Sequence, residues 1–320
     1  MKKEDLRIVF LGTPEFAVES LDRIVSEGYN VVGVVTMPDK PAGRGHKMLH
    51  SPVKQYAEAR GLNLLQPVNL KDPEFLSDLR SLNANLFVVI AFRMLPRDVW
   101  QMPELGTFNL HASLLPRYRG AAPINWAVIN GDKETGVTTF FLKHEIDTGD
   151  IIDQERIEIG NDDCVGDVHD RLMHLGAELT VKTIHNIIDG TLTRTPQSEL
   201  LGGEDPTPAP KIFKDTCRID WSQPAEKIRN LVRGLSPYPA AWTNFVADGK
   251  EPLSVKIFAV GVGEIIEDIA PGTIRNDSKI LEIAAGDRWV RINSLQLAGK
   301  RRMNADEFLR GFDVSPYKAD

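Results

Sequence analysis

A strand, a helix and a second strand are written into the first 36 residues, and they constrain the fold more than any other stretch. Residues 6–11 (Leu-Arg-Ile-Val-Phe-Leu) form a mostly apolar run that stops at Gly12. Thr13 can cap a helix and Pro14 suits its first position. Phe16, Ala17, Leu21, Ile24 and Val25 then recur at helical spacing until Gly28, and residues 31–36 are apolar again. Strand, helix, strand in that order begins a parallel sheet wound on both faces. One glycine at the first turn is not the Gly-x-Gly-x-x-Gly of a dinucleotide site, so no nucleotide cofactor is assigned. The helix N-terminus there could face an anion or simply follow a tight turn.

The alternation continues with a helix over 52–60 closed by Gly61, a short strand over 62–65 and a helix over 72–82. Residues 86–91 (Leu-Phe-Val-Val-Ile-Ala) are the most continuous apolar run and predict a central strand buried on both faces. A turn or short helix follows at 96–102, then a helix over 123–130 and a strand over 137–142. After Gly166, Val168, Leu172, Leu175 and Leu179 mark one face of a long amphipathic helix. Residues 201–210 (Leu-Gly-Gly-Glu-Asp-Pro-Thr-Pro-Ala-Pro) read as a linker. Beyond it come a helix over 224–233 and five short strands, at 241–245, 254–260, 272–275, 279–284 and 289–297. Close spacing of that kind suggests a small barrel. The expected architecture is α/β: a Rossmann-like, doubly wound, mostly parallel sheet over 1–200, a linker over 201–210, and an OB-like β-barrel domain over 211–320.

The chemistry concentrates in residues 108–116, Phe-Asn-Leu-His-Ala-Ser-Leu-Leu-Pro. These read as a strand running into a turn, just after the most buried part of the sheet. Asn109 and His111 are two apart and so point to one side. A carboxamide N–H can donate to a developing oxyanion, and an imidazole can donate to it or move a proton. The same pair could instead cap loop backbone. Asp147 follows the 137–142 strand in a turn that Gly149 permits. If the two strands are neighbours, its carboxylate reaches the imidazole and fixes its orientation. Glu145 and Asp150 compete for that role on chemistry alone.

Residues 37–52 interrupt the pattern. They hold three Pro, two Gly, three Lys or Arg and two His against one acid. Such a segment is neither a helix nor an interior strand. Loops of this length in compact α/β domains are often functional, and basic side chains around glycines suit an arm that meets phosphate. Charge is also uneven along the chain. Residues 211–320 hold 17 Lys and Arg against 15 Asp and Glu, the preceding 210 residues 21 against 30. That is a weak pointer to a polyanionic partner. Two distant cysteines, Cys164 and Cys217, make neither a disulfide framework nor a zinc knuckle. No leader or membrane span is legible, so a cytoplasmic protein is expected.

Several motifs occur in order: Asn109-Leu110-His111, Ser113-Leu114-Leu115-Pro116, Arg119-Gly120 and Asp147-Thr148-Gly149-Asp150. Together they closely resemble the formyltransferase family that uses 10-formyltetrahydrofolate. Gly12-Thr13-Pro14-Glu15-Phe16-Ala17, the Pro-Ala-Gly-Arg-Gly loop at 41–45, the Pro-Ala-Pro-Lys junction at 208–211 and the long second domain extend the resemblance over all 320 positions. They narrow it to members that formylate methionine carried by initiator tRNA. One segment departs: residues 91–96 hold Phe92-Arg93 where the family pattern has Tyr-Gly.

The resemblance implies that Asn109 and His111 stabilise the oxyanion while Asp147 orients His111 and helps relay the amine proton. It implies that Ser113, Leu114, Leu115 and Pro116 border 10-formyltetrahydrofolate as co-substrate, with no metal. It also implies that Lys40, Arg44 and Lys47 meet the acceptor end of initiator Met-tRNA. The barrel, with Lys211, Lys214, Arg229, Arg233, Lys300, Arg301 and Arg302 in or near it, would grip phosphates. A monomer without membrane contact is expected. Three rivals remain at this level. A glycinamide ribonucleotide formyltransferase needs little beyond the first domain. A nucleotide-sugar formyltransferase has no use for the basic loop. A non-catalytic tRNA- or folate-binding protein needs no His–Asp pair.

Overall fold

The computed structural model of the chain describes residues 1–42, 47–203, 205–277 and 279–320. Arg44 lies outside the described residues. The chain divides into two compact units. The first comprises Met1–Gly120, Gly136–Ile157 and His169–Pro208, the second Ala121–Thr135, Glu158–Val168 and Ala209–Asp320.

The first unit is built on a seven-stranded sheet. Its order is Ile151–Glu158, Glu134–Phe141, Thr107–His111, Leu86–Ile90, Arg7–Gly12, Asn30–Val35, Leu64–Leu65. The five strands from Thr107–His111 to Leu64–Leu65 are parallel, and Glu134–Phe141 runs antiparallel beside Thr107–His111. All five residues of Leu86–Ile90 are buried, as expected for a parallel strand covered on both faces. Local chemistry starts the flanking helices. The Ser51 side chain accepts from the Lys54 N–H ahead of Pro52–Ala59, and Asp72 accepts from the Glu74 N–H ahead of Pro73–Ser81. Proline stands at the first turn of both.

From Arg7–Gly12 the chain winds outward to Asn30–Val35 and Leu64–Leu65. It then crosses back to place Leu86–Ile90 on the other side of Arg7–Gly12. That reversal opens a crevice beyond the strands' C-terminal ends, where ligands bind in such sheets. Gly12 lies at this point. A Cβ there would come within 2.7 Å of Ala17 Cβ and 3.1 Å of the Ile90 carbonyl oxygen, so only glycine fits.

Two of the elements hidden from the sequence bear on the site. Residues 37–52 contain a separate ribbon, in which Lys40–Ala42 pairs antiparallel with Lys47–Leu49. Pro41 is tolerated because each strand of a two-stranded ribbon has a free edge. Ile151–Glu158 is the terminal strand of the large sheet, and its run of Asp153, Gln154, Glu155 and Arg156 masks it as loop. Polar edge strands are a usual guard against further pairing.

The second unit carries an antiparallel sheet in the order Ile274–Asn276, Leu281–Ala284, Arg288–Leu297, Leu253–Ile265, Ala241–Val246, Lys318–Ala319. The Ala319 N–H donates to the Gly272 carbonyl at 2.9 Å, so the last strand returns to the entrance of the first and the sheet nearly closes. Inside lie Trp221, Phe245, Ile257, Ile292 and Phe308. Alternating burial along Ala241–Val246 gives one wet and one dry face. Helix Ala225–Leu235 packs on helix Pro123–Ile129. Asn125 Nδ2 donates to the Gly234 carbonyl at 2.8 Å, and a Cβ on Gly234 would sit 2.4 Å from Ile129 Cγ1. This packing draws residues 121–135 into the second unit.

Candidate active site

Strand Thr107–His111 delivers two groups to the C-terminal edge of the first sheet. Asn109 pairs in register with Val89 on one side and Phe140 on the other, and His111 lies opposite Thr138. His111 is only 8 % exposed. Its Nε2 lies 2.8 Å from the Tyr118 carbonyl oxygen, and because a carbonyl only accepts, Nε2 carries the hydrogen. Phe140 meets the ring edge-on, with centroids 6.4 Å apart. Nδ1 is left facing Asp147, whose Oδ2 is 3.9 Å away. Tyr118, in the left-handed region at φ 61°, is the partner that sequence reasoning did not name. Among the described residues none hydrogen-bonds the Asn109 carboxamide. The Thr13 hydroxyl, at the end of the first strand, is buried and also lacks a partner. Unfilled polar groups at this edge fit a polar ligand.

Asp147 is set by its loop rather than by a helix or strand. Its φ is 53°, and its Oδ2 accepts the Gly120 N–H at 3.0 Å. Gln197 Nε2 donates to the Asp147 and Gly149 carbonyls, both at 2.8 Å. Gln197 Oε1 in turn accepts from the Arg119 guanidinium at 3.0 and 2.7 Å. Of the three candidate acids, the structure brings Asp147 to His111. Asp150 is occupied by Lys143 Nζ at 2.6 Å, and Glu145 is exposed. Gln197 had no local signal, since it stands in a short polar stretch between the long helix and the linker.

Replacing Gln197 by leucine keeps the volume but strips two carbonyls of their donor and the Arg119 guanidinium of its acceptor. Groups buried without partners cost about 1–3 kcal/mol each at most sites. The expected result is a lower melting temperature and a kcat that falls further than KM changes. A variant with wild-type kcat would mean that the Asp147 loop is held by other contacts.

The turn after the strand is mostly fabric. Ser113 is fully buried and its Oγ donates to the Arg117 carbonyl at 2.7 Å. The Leu115 N–H donates to Thr138 Oγ1, its carbonyl accepts from Gln154 Nε2, and the bond to Pro116 is cis. Leu115 and Pro116 are buried, whereas Leu114 is partly exposed and covers Gly136. Of the four side chains at 113–116, only that of Leu114 is partly exposed.

The basic residues divide. Lys40 is exposed on its short strand and Lys47 lies on the facing one. Lys211 is exposed, with Nζ 5.6 Å from the Phe213 ring. Arg301 is exposed and pairs with Glu307. Arg302 lies over the Phe258 ring at 4.4 Å and holds Ser294 Oγ at 2.8 Å. Arg233 departs from the sequence expectation. It is 8 % exposed and its Nη1 donates to the carbonyls of Gly160 and Asp163, with Nε on Asn230 Oδ1, a buried structural tether. Arg229 is likewise engaged by Asp162 and the Asn161 carbonyl.

Among the described residues no three His, Cys, Asp or Glu side chains are placed to share a metal ion, and no helix is long and apolar enough to cross a membrane. Comparison with known proteins gives two family matches: Formyl transferase over residues 6–184 and Formyl transferase, C-terminal domain, over residues 211–313. The methionyl-tRNA formyltransferase of Bacteroides fragilis is 59% identical over 316 residues, covering 98% of each chain. That of Porphyromonas gingivalis is 50% identical over 320 residues, again covering 98% of each. Among solved structures, the sugar 3N-formyl transferase WlaRD, determined with dTDP and 5-N-formyl-THF, aligns with a TM-score of 0.63. It shares 19% identity and covers 92% of this chain and 99% of its own.

Proposed function

The chain belongs to the formyl transferase family in both its parts, and from that premise we infer that it formylates the amino group of methionine on initiator Met-tRNA. The formyl donor is 10-formyltetrahydrofolate. The observation that carries this reading is the Asn109, His111 and Asp147 group at the crevice edge, in a chain so close in sequence to methionyl-tRNA formyltransferases.

The roles follow from the polar atoms left over. When an amine adds to a formyl carbon, negative charge builds on the formyl oxygen. The Asn109 carboxamide has an N–H₂ with no competing partner among the described residues and donates to that oxygen. His111 has one donor edge spent on the Tyr118 carbonyl, so Nδ1 is the working nitrogen. It accepts the proton that the amine must lose. The positive charge then arriving on the ring faces the Asp147 carboxylate, which is itself steadied by the Gly120 N–H. The proton continues to the folate nitrogen as the bond to the formyl carbon breaks. Holding both reactants at one edge removes much of the entropic barrier.

The basic hairpin and the second unit supply the tRNA side. Lys40, Arg44 and Lys47 meet the acceptor end, where an unpaired first position is easily opened. Exposed Lys211 and Arg301 contact backbone phosphates.

The test is transfer of formyl from 10-formyltetrahydrofolate to Met-charged initiator and Met-charged elongator tRNA. Formylmethionine from the initiator alone is the expected result. Product from an amino sugar nucleotide but from neither tRNA would overturn the reading.

A further inference from the structure

A chain of bonds across the C-terminal edge of the first sheet is left unused by the catalytic geometry. It starts at the root of the hairpin formed by Lys40–Ala42 and Lys47–Leu49. Asp39 Oδ2 accepts from Lys54 Nζ at 2.5 Å and lies 3.0 Å from His50 Nδ1. The Lys54 side chain is 11% exposed, so this is a largely buried pair. The bond from Lys54, and next that from Gln66, hold the Asp39 carboxyl well below the usual carboxylate range. Gln66 Nε2 bonds both Asp39 Oδ1 at 3.0 Å and the Met37 carbonyl at 2.9 Å.

The next two residues, Pro67 and Val68, offer their carbonyls to one guanidinium. Arg93 donates to Val68 at 2.8 Å and to Pro67 as well. Arg93 is the second residue of the Phe92-Arg93 pair. It follows strand Leu86–Ile90, which is separated from Leu64–Leu65 by Arg7–Gly12 and Asn30–Val35. A single side chain therefore straps together segments that lie two strands apart. Its Nε is buried with no partner among the described residues, a desolvation cost that the two carbonyl bonds must offset.

We propose that Asp39, Gln66 and Arg93 are positioning residues that fix the root of the basic hairpin, and through it the alignment of initiator Met-tRNA, relative to the segment after strand Leu86–Ile90. The proposal rests on the reading that the hairpin meets tRNA. Without Arg93, the 66–68 segment loses its anchor, Gln66 its fixed position, and the Asp39–Met37 root one of its ties.

Arg93→Met removes both carbonyl bonds and keeps an unbranched stem. Arg93→Lys keeps the charge but satisfies the two carbonyls poorly, since an ammonium lacks the planar fork. In steady-state transfer, Arg93→Met and Asp39→Asn should each raise KM for Met-tRNA about fivefold or more, with kcat changed less than about twofold. KM for the formyl donor should stay unchanged, and Arg93→Lys should fall between wild type and Arg93→Met. The Arg93→Met/Asp39→Asn double variant should be no worse than the more affected single variant, because both act through one strap. Multiplying effects would overturn the relay.

Amide hydrogen exchange in the free protein gives a readout independent of tRNA. Arg93→Met should speed exchange along Lys47–Leu49 about tenfold. Unchanged exchange overturns the proposal. Arg44→Ala separates the two readings. If it raises KM for tRNA while Arg93→Met does not, positioning through the strap is refuted. If neither variant moves KM although exchange speeds up, the hairpin is not the tRNA arm and both readings fall.

Discussion

Replacing His111 by alanine should lower kcat for formyl transfer about a thousandfold, within the range for loss of a general base, and leave KM for the formyl donor close to wild type. The side chain is buried at the end of a strand. Its Nε2–H is committed to the Tyr118 carbonyl and its Nδ1 faces Asp147. Alanine removes the proton acceptor and also the ring's hydrogen bond to that carbonyl. His111→Gln separates the two losses. Its amide can still donate to the Tyr118 carbonyl, yet an amide nitrogen does not take a proton near neutral pH. If His111→Gln is as slow as His111→Ala while regaining thermal stability, proton movement is the function of the ring. Single-turnover rates with saturating donor read this directly. A kcat within tenfold of wild type in both variants would remove His111 from the mechanism and leave Asn109 as the main stabilising group.

Much of this site is legible in the amino-acid sequence. Asn109 and His111 share a side because strand side chains alternate, and the burial of Leu86–Ile90 followed from an apolar run too long for a half-wet strand. The near-closed C-terminal sheet was announced by five short runs with turns between them. What stayed hidden is set by long-range backbone contacts. The choice of Asp147 over Asp150 depends on Lys143 occupying the latter and on Gln197 clamping the loop from 50 positions away along the chain. The Tyr118 carbonyl is a main-chain acceptor, which no side-chain pattern can indicate. Arg233 looked like a phosphate ligand because charge is visible in a sequence and burial is not. Ile151–Glu158 carries no strand signal in the sequence because an edge strand with polar residues has no apolar rhythm.

Gly149→Ala is the second large effect expected, and it reaches the site by backbone displacement alone. A Cβ at Gly149 would lie 1.5 Å from the Phe141 carbonyl oxygen and 3.1 Å from Phe140 Cδ2. Phe141 ends a strand that pairs with Thr107–His111, so the strand is fixed and the loop must yield. The loop's ties all pass near this point: Gly149 accepts from Gln197 and the Asp150 carbonyl accepts the Phe141 N–H at 3.1 Å. Asp147, two residues upstream, moves with it and leaves His111 without its facing carboxylate. Displacement of a catalytic group by about 1 Å can cost roughly a hundredfold in rate, and overpacking of this kind costs about 1–3 kcal/mol of stability. The expected variant folds, melts lower, binds the formyl donor and turns over about a hundredfold more slowly. Gly190→Ala is the matched control. Gly190 has φ 68° and nothing within 4 Å of its would-be Cβ, so alanine there strains only its own backbone. It should lose about 1–2 kcal/mol, the cost of a left-handed alanine, with kcat unchanged. If Gly149→Ala and Gly190→Ala lose stability alike and both keep wild-type kcat, the position of Asp147 does not govern the reaction.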